Sequence, residues 1–292
     1  MVEFVNAKIN IGLQIVKRRE DGYHDLQTVF YPVGIYAGLP DNPESFCDIL
    51  EVCNTDRSDV EFRFTGREVK CAEEDNLVCK AVRLFAEETG ADTNGLRVTL
   101  EKHLPDGAGM GGGSADASFT LRLLNKQLAE SKRKSEEELA AMALKLGADC
   151  PFFVYNRPMY GEGVGELLTP INLDLSGLWL VVVKPDVYVS TREAFALITP
   201  KAGNVDLRTL NRENIREWQG VVKNDFEESI FPQHPELAEI KGLLLESGAI
   251  YASMSGSGSS IYGIFEKEAA ARDAQLKFAD NATIEASYLL KL

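Results

Sequence analysis

The stretch "LPDGAGMGGGSADAS" (residues 104–118) packs five glycines into residues 107–113 and then runs straight into a segment of small residues and leucines. Glycine loses more conformational freedom on folding than any other residue and packs nothing, so such a cluster marks a place where the backbone itself must approach something closely. Before it, "GLRVTLEKHL" (residues 95–104) alternates apolar and polar positions as a strand does. After it, Ala117, Leu121, Leu124 and Leu128 recur at spacings of four, three and four, one face of a helix. Strand, glycine loop and helix together gather backbone N–H groups at the positive end of a helix dipole, which makes an anion nest. Ser114 is placed to cap that helix or to touch a bound phosphate.

Gly107-x-Gly109-x-x-Gly112 satisfies a dinucleotide fingerprint literally. That fingerprint also needs an acid closing the next strand about 20 residues on, and here the distance falls in helix and charged linker. A Walker loop would place a lysine after the last glycine, where Ser114 stands. A protein-kinase glycine loop would bring its catalytic-loop and metal-binding motifs, and none is found.

Upstream of the loop, "FVNAKINIGLQIV" (residues 4–16) and "QTVFYPVGIY" (residues 27–36) read as strands, and "DILEVCN" with "VEFRFTG" reads as a hairpin pair over residues 48–66. Asp75 or Asn76 caps a helix carrying Leu77, Ala81, Leu84 and Phe85, which Gly90 stops. Downstream, Ser135 and Glu138 form a capping box for a helix closing at Gly147, and "ADCPFFVYN" (residues 148–156) reads as a loop. "LWLVVV" (residues 178–183) is a buried strand, "PELAEIKGLLLESG" (residues 235–248) a helix, and "SMSGSGSSIYGIFE" (residues 253–266) a small-residue loop feeding a strand. A fresh series of elements after about residue 160 predicts a second domain.

The composition is that of a globular protein: 292 residues, 45% hydrophobic and 26% charged. No run approaches the roughly 20 apolar residues of a membrane span, so no membrane association is expected. "MVEFVNAKIN" has an acid at Glu3 and no basic flank, unlike a secretory leader. Five cysteines without a C-x-x-C pair predict reduced thiols rather than disulfides or a zinc site. The net charge of −14 argues against nucleic acid as a partner. An anionic ligand would then need local positive potential, which backbone amides supply without net charge.

The glycine loop resembles the phosphate loop of the GHMP kinase superfamily, whose pattern is P-x-x-x-G-L-G-S-S-A; Met110 stands in place of the leucine, and Gly112 and Gly113 in place of the serines. "AKINIGLQIVKRREDGYHDLQT" (residues 7–28), "LGADCPFF" (residues 146–153), "GEGVGELLTP" (residues 161–170) and "SGSGSSIYGIF" (residues 255–265) are similar, in the same order, to the branch that phosphorylates 4-diphosphocytidyl-2-C-methyl-D-erythritol. The resemblance implies an α+β, two-domain fold. An N-terminal ATP-binding domain would span residues 1–160 and a ferredoxin-like C-terminal substrate domain residues 161–292, with the active site in the cleft between them. It implies a cytoplasmic, ATP-dependent kinase of non-mevalonate isoprenoid biosynthesis that acts on the 2-hydroxyl of that alcohol, with Mg2+ accompanying ATP and its ligands unassigned.

Residue by residue, the resemblance assigns catalysis to Lys8 and Asp149. ATP binding falls to Pro105, Asp106, Gly107, Ala108, Gly109, Met110, Gly111, Gly112, Gly113, Ser114 and Ala115, and substrate binding to Asn10, Tyr23, His24, Val164 and Thr191. Asp149 would take the proton of the attacking hydroxyl, and Lys8 would oppose the charge on the transferring group. Tyr23 and His24 suit a cytosine by stacking and by a polar edge. "SMSGSGSS" would lie near the active site. A kinase for homoserine or mevalonate, and a nucleotide-binding sensor without turnover, are the alternatives. "DGYH" speaks against the first, since those substrates carry no base.

Overall fold

The computed structural model describes residues 1–34, 46–69, 71–196, 198–279 and 281–292. In chain order the elements are strands β1 (Val2–Arg18), β2 (His24–Val33), β3 (Cys47–Asn54) and β4 (Glu61–Gly66), helix α1 (Leu77–Thr89), strand β5 (Leu96–Lys102) and helix α2 (Gly112–Gln127). Then come α3 (Glu136–Leu144), α4 (Cys150–Tyr155), β6 (Met159–Glu162), β7 (Leu167–Pro170), β8 (Trp179–Pro185) and α5 (Thr191–Ala196). The series closes with α6 (Phe226–Ile230), α7 (Pro235–Glu246), β9 (Tyr251–Met254), β10 (Ile261–Phe265), α8 (Glu268–Ala279) and β11 (Ile284–Lys291). The strand expected over residues 27–36 is β2; residues 35 and 36 lie outside the described residues.

The chain forms two compact units that interleave along it. The first takes in the described residues of Met1–Ala7, Ile35–Asp106 and Gly111–Arg157; the second is Lys8–Gly34, Gly107–Met110 and Pro158–Leu292. Residues 8–34 and 107–110 therefore group with the C-terminal half of the chain.

In the first unit β5 pairs antiparallel with β3, Val98 opposite Val52, and parallel with β4, Val98 opposite Phe62. The start of β1 pairs antiparallel with β3, Phe4 opposite Ile49. The expected hairpin over residues 48–66 is thus not formed, because β5 lies between its two strands. Alternation identifies a strand but not its partner. Here α1 crosses over from β4 and returns the chain parallel to it, as a β-α-β unit does.

The caps are largely where the sequence puts them. Asn76 accepts from Val78 N at the start of α1, and Gly90 closes it at φ +67°. The Ser135–Glu138 capping box forms, although α3 ends at Leu144 rather than at Gly147. "ADCPFFVYN" is a helix in part, not a loop: α4 starts with a proline in its first turn and ends on Asn156 in the left-handed conformation. Cys150 to Val154 are all buried, so the segment shows no amphipathic stripe to betray a helix.

In the second unit β2 pairs antiparallel with β6, Val29 opposite Tyr160, and β6 with β7. A separate antiparallel sheet has the order β11-β8-β10-β9, which is fourth, first, third and second in chain order. With α7 before β9 and α8 before β11, this is the expected ferredoxin-like arrangement. Val181, Val183, Ile261 and Phe265 of the sheet share one core with Leu237, Leu244 and Phe278 of the helices. Each such burial contributes about 1.5–3 kcal/mol. None of the five cysteines is in a disulfide. Among the described residues no helix is long and apolar enough to cross a membrane.

Candidate active site

Strand β1 is buried on both faces over residues 5–15, and its alternation puts Lys8 and Asn10 on the same face. Lys8 is only 3% exposed, so its ammonium has to be partnered. Nζ donates to Asn10 Oδ1 at 2.6 Å and to the carbonyl of Gly109 at 2.9 Å, and it stands 5.6 Å from the centre of the Phe30 ring. The Lys8 amide donates to the Met110 carbonyl at 3.1 Å. Lys8 and Asn10, two residues apart on β1, are therefore in direct contact with one another, and Lys8 also reaches the glycine loop at Gly109.

The second glycine-rich stretch lies against the first. Ser255 Oγ donates to Gly109 O at 2.8 Å and accepts from Asn10 N at 3.3 Å, and Ser260 N donates to Ala108 O at 3.3 Å. A Cβ on Gly109, whose φ is +70°, would stand 2.0 Å from Ser255 O, so only glycine permits this approach. Asn224 braces the second stretch by donating to Met254 O and Gly256 O, both at 2.8 Å. Tyr188, 75% exposed, lays its ring edge beside Gly107, 3.1 Å from where a Cβ would be.

An aromatic group forms at the start of β2. His24 stacks on Phe195 with ring centroids 5.1 Å apart at 22°, and Phe195 meets Phe226 edge-on at 4.9 Å. Tyr23 is 64% exposed beside them in sequence. Burial, with Arg18 nearby, holds the His24 imidazole below its usual pKa and so keeps it neutral. Thr191, exposed, shares a 3.2 Å hydrogen bond with Ser257. Val164 donates its amide to Glu166 Oε2 at 2.6 Å, and the preceding Gly163 carbonyl accepts from Leu26 N of β2 at 2.7 Å.

In the first unit the helix after the loop starts earlier than the sequence suggests. Gly111 is its N-cap at φ +73°, with no side-chain cap bond, and Ser114 lies inside the first turn. Ser114 is thus not the cap. Gly112 and Gly113 already adopt helical geometry, which leaves the first-turn amides without intrahelical acceptors and with no acid in that turn. Pro105 is buried and Asp106 exposed ahead of the loop, and Ala115 is buried within α2. Beneath this start sits a buried ion cluster. Lys102 Nζ donates to Asp48 Oδ2 at 2.6 Å and to Asp116 Oδ2 at 2.8 Å. Asp48 Oδ1 also accepts from the amides of His103 and Leu104, at 2.6 and 2.8 Å. The last residues of β5 and the first turns of α2 are tied through one ammonium. A Cβ on Gly112 would come within 3.1 Å of it. Burial pushes the Asp116 carboxyl up to about 8, against the pull of Lys102.

Asp149 immediately precedes α4, half-buried, and makes no side-chain cap bond to that helix. The next residue, Cys150, is buried, and its carbonyl accepts from Ser118 Oγ of α2 at 2.7 Å. That contact fixes the Asp149 segment against the helix that follows the glycine loop.

Sequence reading missed Ser255 as a contact of the glycine loop, Phe195 as the ring under His24, and the Lys102–Asp48–Asp116 cluster. Lys102 and Asp116 do flank the glycines in sequence, at a strand end and in early helix, and that position was the available signal. Asp48 and Phe195 carried none. Among the described residues no group of three or more His, Cys, Asp or Glu could hold a metal ion.

Comparison with known proteins gives the family. The GHMP kinases N terminal domain matches residues 76–157, and the GHMP kinases C terminal domain matches residues 205–283. A 4-diphosphocytidyl-2-C-methyl-D-erythritol kinase of Bacteroides thetaiotaomicron is 46% identical over 270 residues, 92% of this chain and 93% of that protein. One of Parabacteroides distasonis is 45% identical over 267 residues, 91% and 92% of the two chains. A crystal structure of 4-(cytidine 5'-diphospho)-2C-methyl-D-erythritol kinase superimposes over the full length of both chains with a TM-score of 0.78 and 33% identity. A homoserine kinase of Cytophaga hutchinsonii, 19% identical with a TM-score of 0.66 over 99% of this chain and 95% of its own, shares the fold. With both GHMP domains in place and near-full-length relatives at such identity, the chain belongs to the 4-diphosphocytidyl-2-C-methyl-D-erythritol kinase family of the GHMP kinases.

Proposed function

We propose that the protein transfers the γ-phosphoryl group of ATP to the 2-hydroxyl of 4-diphosphocytidyl-2-C-methyl-D-erythritol, in the cytoplasm, as a step of non-mevalonate isoprenoid synthesis. The observation that carries the chemistry is the buried Lys8 ammonium held on the carbonyl of the glycine loop at Gly109. In the reaction the hydroxyl oxygen attacks the γ-phosphorus, the bond to the β-phosphate oxygen breaks, and ADP leaves. Asp149 takes the hydroxyl proton, and Lys8 opposes the negative charge on the transferring group. Backbone amides of residues 107–113 and the first turn of α2, with Ser114, cradle the triphosphate. Bound together with the triphosphate, a magnesium ion would supply charge neutralisation at its oxygens.

Substrate choice rests on the aromatic group. Tyr23 is exposed enough to stack on a base, and neutral His24, braced by Phe195, presents a polar edge. Asn10, Val164 and Thr191 complete the substrate side. Residues 1–160 make up the ATP-binding domain and residues 161–292 the substrate domain. ADP release measured with the cytidyl alcohol, homoserine, mevalonate or no acceptor tests the reading. Turnover with the cytidyl alcohol alone is expected. Turnover with homoserine or mevalonate instead would replace the substrate, and ATP binding without any turnover would favour a sensor.

A further inference from the structure

We propose that Thr28 is a positioning residue for phosphoryl transfer: its hydroxyl fixes which way the Asn10 carboxamide faces and, through it, where the Lys8 ammonium sits. The inference rests on the reading of Lys8 given above. Thr28 is fully buried on β2, and Asn10 is 2% exposed. Thr28 Oγ1 lies 2.6 Å from the Gly12 carbonyl, an oxygen that can only accept, so the single hydroxyl proton is committed there. The same oxygen must then act as acceptor toward Asn10 Nδ2 at 3.0 Å. That fixes the amide end of Asn10 toward Thr28 and its Oδ1 toward Lys8 Nζ, 2.6 Å away. A flipped carboxamide would set an NH2 against an ammonium, two donors with no acceptor between them.

The rest of Asn10 is already held. Its amide donates to Ser255 Oγ at 3.3 Å, and its carbonyl accepts from Tyr262 Oη at 2.7 Å. What is left to decide is the broad terminal torsion of an asparagine, and the Thr28 oxygen on one side, with the Lys8 ammonium on the other, decides it. Lys8 thus donates on one side to the Gly109 carbonyl, in the loop assigned to the triphosphate, and on the other to Asn10, which donates to Thr28, which donates to the Gly12 carbonyl. Serine preserves the chemistry of Thr28, whereas valine keeps the shape and removes it.

The test is a kinetic cycle on the full chain with Thr28→Val, Thr28→Ser, Lys8→Ala and Lys8→Ala/Thr28→Val, with slow variants followed over hours by transfer from labelled ATP. Thr28→Val is expected to lower kcat at least about tenfold, the scale of one lost buried hydrogen bond, with both KM values within about twofold. Thr28→Ser should recover most of that loss, and in the Lys8→Ala background Thr28→Val should change nothing further. A merely structural threonine would lower the rate by the same factor in both backgrounds, and that result overturns the proposal, as does wild-type kcat in Thr28→Val. Thr28→Ala substitutes if the valine variant does not fold. Wild-type turnover in Lys8→Ala alone would instead overturn the role given to Lys8.

Discussion

Replacing Gly109 with alanine is the sharpest single test of the glycine loop. The residue sits at φ +70°, where an L side chain costs about 1–2 kcal/mol. Its added Cβ would stand 2.0 Å from Ser255 O, 2.9 Å from Ser255 C and 3.1 Å from Gly258 O. All three neighbours are backbone, so no rotamer change relieves the overlap. Ordinary contact begins at 3.4 Å, and the two loops must part by about 1.4 Å (3.4 − 2.0) along that line. The carbonyl that would move is the one receiving Lys8 Nζ at 2.9 Å and Ser255 Oγ at 2.8 Å. A displacement of about 1 Å of catalytic parts is enough for a loss of about 100-fold. Gly90→Ala is the control, because Gly90 has nearly the same φ, +67°, and nothing within 4 Å of its Cβ. Both variants carry the backbone term, and only Gly109→Ala carries the collision. Coupled ADP-release kinetics and thermal melts should therefore show kcat/KM for ATP down at least about 100-fold in Gly109→Ala, with a melting temperature below that of Gly90→Ala. Gly90→Ala should lose about 1–2 kcal/mol of stability and no turnover. Wild-type kinetics in Gly109→Ala, or an equal loss in Gly90→Ala, would refute the steric argument.

Three further outcomes are expected. Asp149→Asn should lower kcat by at least about 100-fold, the scale of a lost general base, and near-normal turnover would remove Asp149 from the proton transfer. Tyr23→Ala should weaken the cytidyl substrate by about 1–3 kcal/mol in calorimetric titration while leaving ATP affinity intact; equal losses for both ligands would make the ring structural. Asp116 gives a pH signature. Burial raises its carboxyl to about 8, far above the roughly 3.9 of an exposed aspartate, so between those limits the folded state holds a proton that the unfolded chain has released. Stability is then fully present below about 4 and declines as pH rises through about 8. Denaturant titrations across this window should show that decline in the wild type and a flatter profile in Asp116→Asn, and parallel profiles would mean that the proton resides elsewhere.

Much of the candidate site could be read along the chain because its parts are local. Gly107 to Gly113 announce a backbone-lined loop by composition, and Asn76, Gly90, Ser135 and Glu138 announce helix ends by residue type. Each of these rests on the conformational preferences of one residue and its near neighbours. The α4 helix escaped because burial on every side erased its period, and of the two roles open to Ser114 the cap falls to Gly111, because two glycines accept helical geometry ahead of the serine. The hairpin expected over residues 48–66 failed for a different reason: β3 and β4 each carry a strand pattern, but a pattern does not name its partner, and β5 lies between them.

What the sequence determined by itself was a glycine-lined loop in an acidic protein and the strand-loop-helix order that presents it. Tertiary structure alone decided that a lysine on the first strand would end on the carbonyl of Gly109, that Ser255 would close against the same atom, and that Thr28 would orient the asparagine between them. The physical reason is that conformational preference is a short-range property of each residue. The partner of a buried charge is instead set by which distant backbone atoms come within about 3 Å, and only the packed chain fixes those distances.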